Sequence, residues 1–339
     1  MAATRLTIAR LAGVSVATVD RVIRNDPAVK PETCERVQAA LDSLRKTRVG
    51  RGRPPKHTSI RVAFVLPVIQ SRFVDKVERD IALSGSFFRE HRITPSFHRY
   101  DFANKRDAED AMKSLLAYDA IVVLPLDYPW IDQLIAECTE SDVPVVTIFS
   151  DQPASQRKAF LGADNRMMGR TAGLLMGRFT AGRSASVLIL SGSLRLYDQS
   201  ERRTGFEQIL EEDFKNLRWH VEPDFPASDD EAYAVLLAAL PRFDDLAGIY
   251  VTCDGAEGAV RAVREAKLVP PIVVIGHGLS EVTRSMLADG QIDVVLDQDV
   301  RAVVHAAGLA ARDLVNEVRG SATLAQQPIR IYLRENATM

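Results

Sequence analysis

Val16, Ala17, Thr18 and Arg21 form the group of side chains in this sequence best suited to reading another molecule. Small or apolar side chains can touch thymine methyls, and an arginine can reach guanine or phosphate, so the chemistry is recognition of a DNA groove. It requires that these residues share the outward face of one helix. The stretch around them meets that requirement. Ile8, Leu11 and Ala12 fall on one helical face, Gly13 permits a sharp turn, and Ser15 is placed to cap a second helix whose Val19, Val22 and Ile23 point inward. Two short helices joined in this way set the first residues of the second helix against base edges. Any amphipathic helix pair would share the periodicity, so the spacing alone leaves that alternative open.

Ala12 to Ser15, Thr18-Val19, Arg21-Val22 and Asn25 also form a pattern, and on it the segment resembles the headpiece of the lactose-repressor (LacI) family of bacterial transcription regulators. The resemblance implies that Ser15, Val16, Ala17, Thr18, Arg21 and Asn25 contact operator DNA. Val29-Lys30-Pro31-Glu32-Thr33 and Arg36-Val37 match the family's next run, with Pro31 at a helix start and Val37, Ala40, Leu41 and Leu44 as the buried stripe. Asp20 departs from the pattern. It stands where the family has a serine that helps hold phosphate, and a carboxylate there repels the DNA backbone.

Between Leu44 and Ile60 the chain is basic and carries two glycines and two prolines, which excludes a regular helix or central strand and marks a domain boundary. The Gly-Tyr-x-Pro-Asn stretch that precedes the hinge helix in LacI-type proteins does not occur here. Gly50-Arg51-Gly52-Arg53-Pro54 instead resembles the AT-hook, in which Arg-Gly-Arg-Pro lies in a narrow A·T minor groove. Arg51 and Arg53 are then candidate groove contacts. A solvated tether touching phosphates without sequence preference is the alternative.

The charge is distributed accordingly. The first 58 residues hold 12 Lys and Arg against 5 Asp and Glu, whereas the rest hold 31 against 40. Basic charge is thus concentrated on the segment expected to meet DNA. The three cysteines, Cys34, Cys138 and Cys253, are odd in number and lack metal-ligand spacing, which points to a reducing cytoplasm and to neither zinc nor a disulfide framework. No apolar run approaches the ~20 residues of a membrane span, and no apolar signal core opens the chain. A cytoplasmic location without membrane contact is expected.

From Ile60 onward, apolar strand-like runs alternate with longer amphipathic segments: Ile60–Leu66, Ala120–Leu124, Val143–Phe149, Val187–Leu190, Gly248–Thr252, Ile272–Gly276 and Asp293–Asp297. This is the pattern of parallel sheets wound with helices, and the number of runs suggests two lobes with a cleft beyond the carboxyl ends of the strands. Val143-Pro-Val-Val, Gly162 to Ala172, Arg202-Arg-Thr-Gly-Phe206, Gly276-His277 and Leu296-Asp-Gln-Asp299 resemble the type I periplasmic sugar-binding fold of LacI-type effector domains. The expected fold class is an α/β effector domain of two doubly wound parallel-sheet lobes, preceded by a small all-α helix-turn-helix headpiece. The expected domains are the headpiece at 1–45, the linker at 46–59, and the two-lobed ligand-binding and dimerisation domain at 60–339. Lobe 1 takes 60–162 and 299–325; lobe 2 takes 163–297 and 326–339.

In such clefts planar polar groups fork onto vicinal hydroxyls and aromatic faces meet the ring's C–H surface. The resemblance implies ligand contacts from Phe73, Asp151, Arg202, Asp254, Glu257, His277 and Gln298. Cys253 stands where relatives have asparagine, and Gly278 where many carry an acid, so the fitting hydroxyl pattern differs. No catalytic residue, metal ligand or cofactor is expected: Gly-x-Ser-x-Gly, Gly-Lys-Ser/Thr and Gly-x-Gly-x-x-Gly motifs are missing, and none of the six histidines lies at helical metal spacing. The expected function is a homodimeric transcription regulator, a repressor by resemblance, that binds operator DNA and a small sugar or polyol. The alternatives are a sugar-binding protein without a regulatory role, exported or cytoplasmic, and an enzyme on the same α/β architecture.

Overall fold

The computed structural model describes residues 5–23, 29–30, 32–37, 39–40, 59–101, 103–128, 130–180, 182–192, 196–222, 228–267, 272–318 and 327–337. Asn25, Leu41, Leu44, Arg51 and Arg53 lie outside them, as does nearly all of the linker. Helices α1 (Arg5–Ala12) and α2 (Val16–Ile23) and a third helical stretch, α3 (32–37), surround Ile8, Ala9, Ala12, Val19, Val37 and Ala40. The turn is made by Gly13 at φ +63°, a conformation that costs glycine little. Arg36 ties the third stretch to the turn by donating to the Gly13 carbonyl at 3.0 Å. Leu11 departs from expectation. It is 56% exposed, because Ala9 rather than Leu11 completes the buried face with Ile8 and Ala12.

The larger part contains two sheets. The first is built from β1 (Ile60–Pro67), β2 (Ile93–Tyr100), β3 (Ala120–Val123), β4 (Val145–Ile148) and β5 (Ala159–Leu161), in the order β2-β1-β3-β4-β5, all parallel. Helices α4 (Arg72–Leu83), α5 (Gly85–Glu90), α6 (Lys105–Leu115) and α7 (Ile131–Glu140) belong to it. The second sheet repeats the order with β6 (Ala185–Leu190), β7 (Leu217–Glu222), β8 (Leu246–Val251), β9 (Val273–His277) and β10 (Val294–Asp297), with β11 (Arg330–Tyr332) added. Its helices are α8 (Asn165–Phe179), α9 (Tyr197–Asp213), α10 (Asp229–Ala239), α11 (Ala256–Ala266) and α12 (Glu281–Ala288). The last helix, α13 (Val300–Val315), crosses back and buries Val300, Val303, Val304 and Ala307 in the first lobe.

The seven apolar runs became the central strands, buried throughout apart from Arg61 in β1. Four strands were not anticipated. Strands β2 and β7 lie at sheet edges and carry Thr94, Ser96, His98 and Arg99, or Arg218, His220 and Glu222, so they lack an apolar run. Pro95 is tolerated in β2 because that strand is an edge. Strand β5 has only three residues, and β11 pairs antiparallel with β10, so the second sheet is not wholly parallel. Among the described residues no helix is long and apolar enough to cross a membrane.

Candidate ligand-binding cleft

Each sheet reverses its winding direction between neighbouring central strands, β1 and β3 in one lobe and β6 and β8 in the other. Loops that leave such a switch point diverge and open a crevice at the carboxyl ends of the strands. Here the two crevices face each other and enclose a cavity of about 430 Å3, inside the ~300–1,000 Å3 range of small-molecule sites. The first lobe contributes Ser71 at the N-cap of α4, Arg72 and Phe73 in its first turn, and Leu124, Phe149 and Ser150. The second contributes Asp198, Gln199 and Arg202 of α9, Asp254 and Glu257 after β8, His277 at the end of β9, Asp297 at the end of β10 and Gln298 just beyond it.

Arg202 is at the centre of the polar wall. It is 7% exposed, and its guanidinium donates from Nε to Asn165 Oδ1 at 2.9 Å and from Nη1 to the Thr252 carbonyl at 2.9 Å, with Nη2 at 3.2 Å from Asp198 Oδ2. Asn165 in turn donates to the Phe149 carbonyl of the first lobe at 3.1 Å. The network therefore spans both lobes. Burial pushes the Asp198 carboxyl up, against the pull of Arg202. Burial also holds His277 well below the ordinary histidine value, with Arg202 adding to the effect. The His277 Nε2 shares a 2.8 Å hydrogen bond with the buried Tyr250 hydroxyl. Burial raises the Tyr250 phenol and the Cys253 thiol as well, so Cys253 lines the cavity as an unionised thiol near neutrality.

The apolar wall is Phe73 against Phe149, ring centroids 4.9 Å apart and planes at 88°. Phe149 has φ +63° at the end of β4, a left-handed conformation that a bulky residue adopts only where its surroundings hold it. Across the mouth, Ser71 Oγ donates to Asp254 Oδ2 at 2.8 Å, and Arg72 pairs with both Asp229 and Glu257. Lys76 donates to the Leu279 carbonyl at 3.3 Å. The lobes are thus bridged from both sides.

Six of the seven expected cleft residues line this cavity: Phe73, Arg202, Asp254, Glu257, His277 and Gln298. Gln298 also accepts from the Ala163 amide at 3.0 Å, at the crossing between lobes. Asp151 is a correction. Its carboxylate is taken by Arg157 and by the Thr147 hydroxyl at 2.7 Å, and the turn at Phe149 brings Ser150 to the cavity in its place. Sequence reading missed Asp198 and Gln199, although Asp198 lies one helical turn before Arg202 and so on its face of α9. It also missed Ser71, Arg72 and Tyr250, whose roles depend on residues far away in the chain. Among the described residues no group of three or more His, Cys, Asp or Glu is placed to hold a metal ion.

The other expected surface is on α2. Ser15, Val16, Ala17 and Arg21 are exposed and Thr18 is half-buried, while Val19 is fully buried. Ser15 Oγ accepts from the Thr18 amide at 3.1 Å and so caps the helix.

Residues 62–320 match the periplasmic binding protein domain, and residues 7–45 match the bacterial regulatory proteins of the lacI family. A D-ribose/D-allose-binding protein of Pseudomonas aeruginosa is 26% identical over 196 residues, 53% of this chain and 58% of that protein. Catabolite control protein A of Priestia megaterium is 27% identical over 151 residues, 44% of each. The chain thus aligns with about half the length of these curated relatives. Among solved structures, GanP, a glucose-galactose binding protein from Geobacillus stearothermophilus, superposes with a TM-score of 0.72 at 21% identity, covering 83% of this chain and 99% of that one. A solute binding protein from Bacillus halodurans with bound myo-inositol gives 0.73 at 17% identity, covering 84% and 98%. Likeness at these identities shows the fold.

Proposed function

Because this chain belongs to the periplasmic binding protein domain family and carries a lacI-family regulatory segment at residues 7–45, we propose that it is a transcription regulator whose operator affinity is set by a small sugar or polyol in the cleft. The observation that carries this reading is the buried Arg202 network, which lines a cavity between two lobes and is anchored in both. A ligand touching both walls stabilises the closed arrangement, and it controls DNA binding to the extent that closure favours one headpiece spacing. A relative named for ribose and allose, and a fold neighbour holding myo-inositol, support the ligand class. The chain acts as a homodimer in the cytoplasm, by binding and not by catalysis. One short helix reads too few bases, and two half-sites about one helical turn apart multiply the discrimination. Ser15 to Thr18 and Arg21 face the bases, with Asn25, Arg51 and Arg53 as further contacts.

The test is fluorescence anisotropy at fixed salt on an operator selected from random DNA, with and without a panel of sugars and polyols. Wild type should bind one sequence selectively and respond to at least one compound. Arg21→Ala should lose ~1–3 kcal/mol of discrimination, while Arg202→Ala should bind the operator yet no longer respond. Absence of sequence preference in the wild type, or a full response in Arg202→Ala, defeats the proposal.

A further inference from the structure

The end of α1 is closed partly by its own backbone. The Val14 amide donates to the Ala9 carbonyl at 2.9 Å and the Gly13 amide to that of Arg10 at 3.4 Å, the paired bonds with which a left-handed glycine ends a helix. The carbonyls of Ala12 and Gly13 are instead taken by a side chain from the third helical stretch. Arg36 Nη2 donates to the Ala12 oxygen at 2.5 Å and to the Gly13 oxygen at 3.0 Å. Both protons of that nitrogen are thereby used, and the cation meets the negative end of the α1 dipole.

Gly13 belongs to the same arrangement. A Cβ there would lie 2.8 Å from Arg36 Nη2, so glycine supplies both the turn at φ +63° and the seat for the guanidinium. The next residue, Val37, is fully buried with Ile8, Ala12 and Val19. The third stretch therefore holds the helix pair twice, with Val37 in the core between the helices and Arg36 on the turn that sets their angle. Two residues after Gly13, Ser15 caps α2 and Val16 opens it. Any shift of the turn is carried directly to Val16, Ala17 and Arg21.

By charge alone, Arg36 would be counted among the phosphate contacts of a basic headpiece. We propose that Arg36 is instead a positioning residue for DNA reading: it fixes the angle at which α2 meets the groove by holding the α1–α2 turn, and it does not contact a phosphate. This rests on the reading of the chain as a DNA-binding regulator. Hydrogen bonds to base edges weaken steeply with angle, whereas attraction to the phosphates is long-range and tolerant. Loss of Arg36 therefore costs sequence-specific binding more than non-specific binding.

The full chain is titrated by fluorescence anisotropy with the operator that wild type selects from random DNA, and with a random-sequence duplex, over a series of salt concentrations. Arg36→Gln should weaken operator binding about tenfold or more and random-duplex binding by less than about threefold, with an unchanged slope of log Kobs against log salt. A lost phosphate contact would instead lower that slope by ~0.9. Arg36→Lys keeps the charge without the rigid planar fork, so it should recover operator affinity only in part, whereas at a phosphate it would serve nearly as well. Hydrogen exchange should quicken over residues 12–15 in both variants while the segment around Val19 stays protected, which shows the headpiece to be folded. A slope lowered by ~0.9 or more, equal losses on both DNAs, or wild-type operator affinity in Arg36→Gln overturns the proposal and leaves the regulator reading standing. Loss of protection throughout the headpiece in both variants also overturns it, because Arg36 would then hold the fold and not the angle of α2. If wild type selects no sequence, the regulator reading itself falls.

Discussion

His277 is the residue at which acid should first be felt. Its ring is buried against Tyr250 and near Arg202, which holds it neutral well below the ordinary value of 6.5. The unfolded chain, by contrast, takes up a proton as the pH falls through 6.5. The unfolded state then binds more protons than the folded one, so stability from this site is complete above 6.5 and is lost progressively below it. Asp198 acts in the opposite sense, because its raised carboxyl favours the folded state on the acid side, but it is common to wild type and to a His277 variant. Subtracting the two isolates the histidine. We expect urea unfolding at pH 7, 6 and 5 to show wild type losing up to about 1.4 kcal/mol per pH unit more than His277→Gln. Parallel pH profiles would show that the ring is not held neutral by the fold.

At the scale of elements, the seam between α8 and α9 decides where Arg202 stands. A Cβ on Gly169 would lie 1.9 Å from the Arg202 carbonyl oxygen, and one on Gly205 would lie 2.0 Å from that of Arg166. No side chain fits there, so the two backbones touch. Arg166 with Glu201 and Arg170 with Glu212 fasten the outer rim of the seam, at 2.8 and 2.6 Å. This contact is the physical content of the glycines in Gly162 to Ala172 and Arg202 to Phe206. Gly169→Ala must push α9 outward. It is expected to destabilise the fold by ~1–3 kcal/mol and to displace the guanidinium from the cleft, abolishing ligand binding, as measured by urea unfolding and titration calorimetry. Unchanged ligand affinity would mean that the seam does not position Arg202.

At the scale of the whole molecule, the chain passes between lobes three times, from β5 to α8, from β10 to α13 and from α13 to β11. A hinge motion about these crossings is the closure we expect. Ser71, Arg72 and Lys76 make direct contacts across the cleft. The Arg72 side chain is 55% exposed, and an ion pair that wet is worth ~0–1 kcal/mol. Arg72→Ala should therefore enlarge the radius of gyration of the unliganded protein in small-angle scattering. It should weaken ligand binding by no more than about fivefold, and saturating ligand should restore the compact form. An unliganded variant with wild-type dimensions would show that this pair does not bias closure.

Local physics made much of this protein legible in its sequence. The headpiece follows from contacts three and four residues apart and one glycine turn, and the central strands follow from apolar runs that are buried on both faces. Arg202 and Gln298 were legible through the motifs around them. The edge strands were not, because a strand half open to water needs no apolar run, and neither was the exposure of Leu11, which depends on which side α2 and α3 cover. Ser150 in place of Asp151 was decided by a backbone turn at Phe149 that phenylalanine gives no local reason to make. Asp198 and Gln199 share the cavity wall with Ser150 and Cys253, which arrive from distant loops. Closure was the least legible of all. Ser71 and Asp254 meet across 183 residues, and only the packing of the two lobes brings them together.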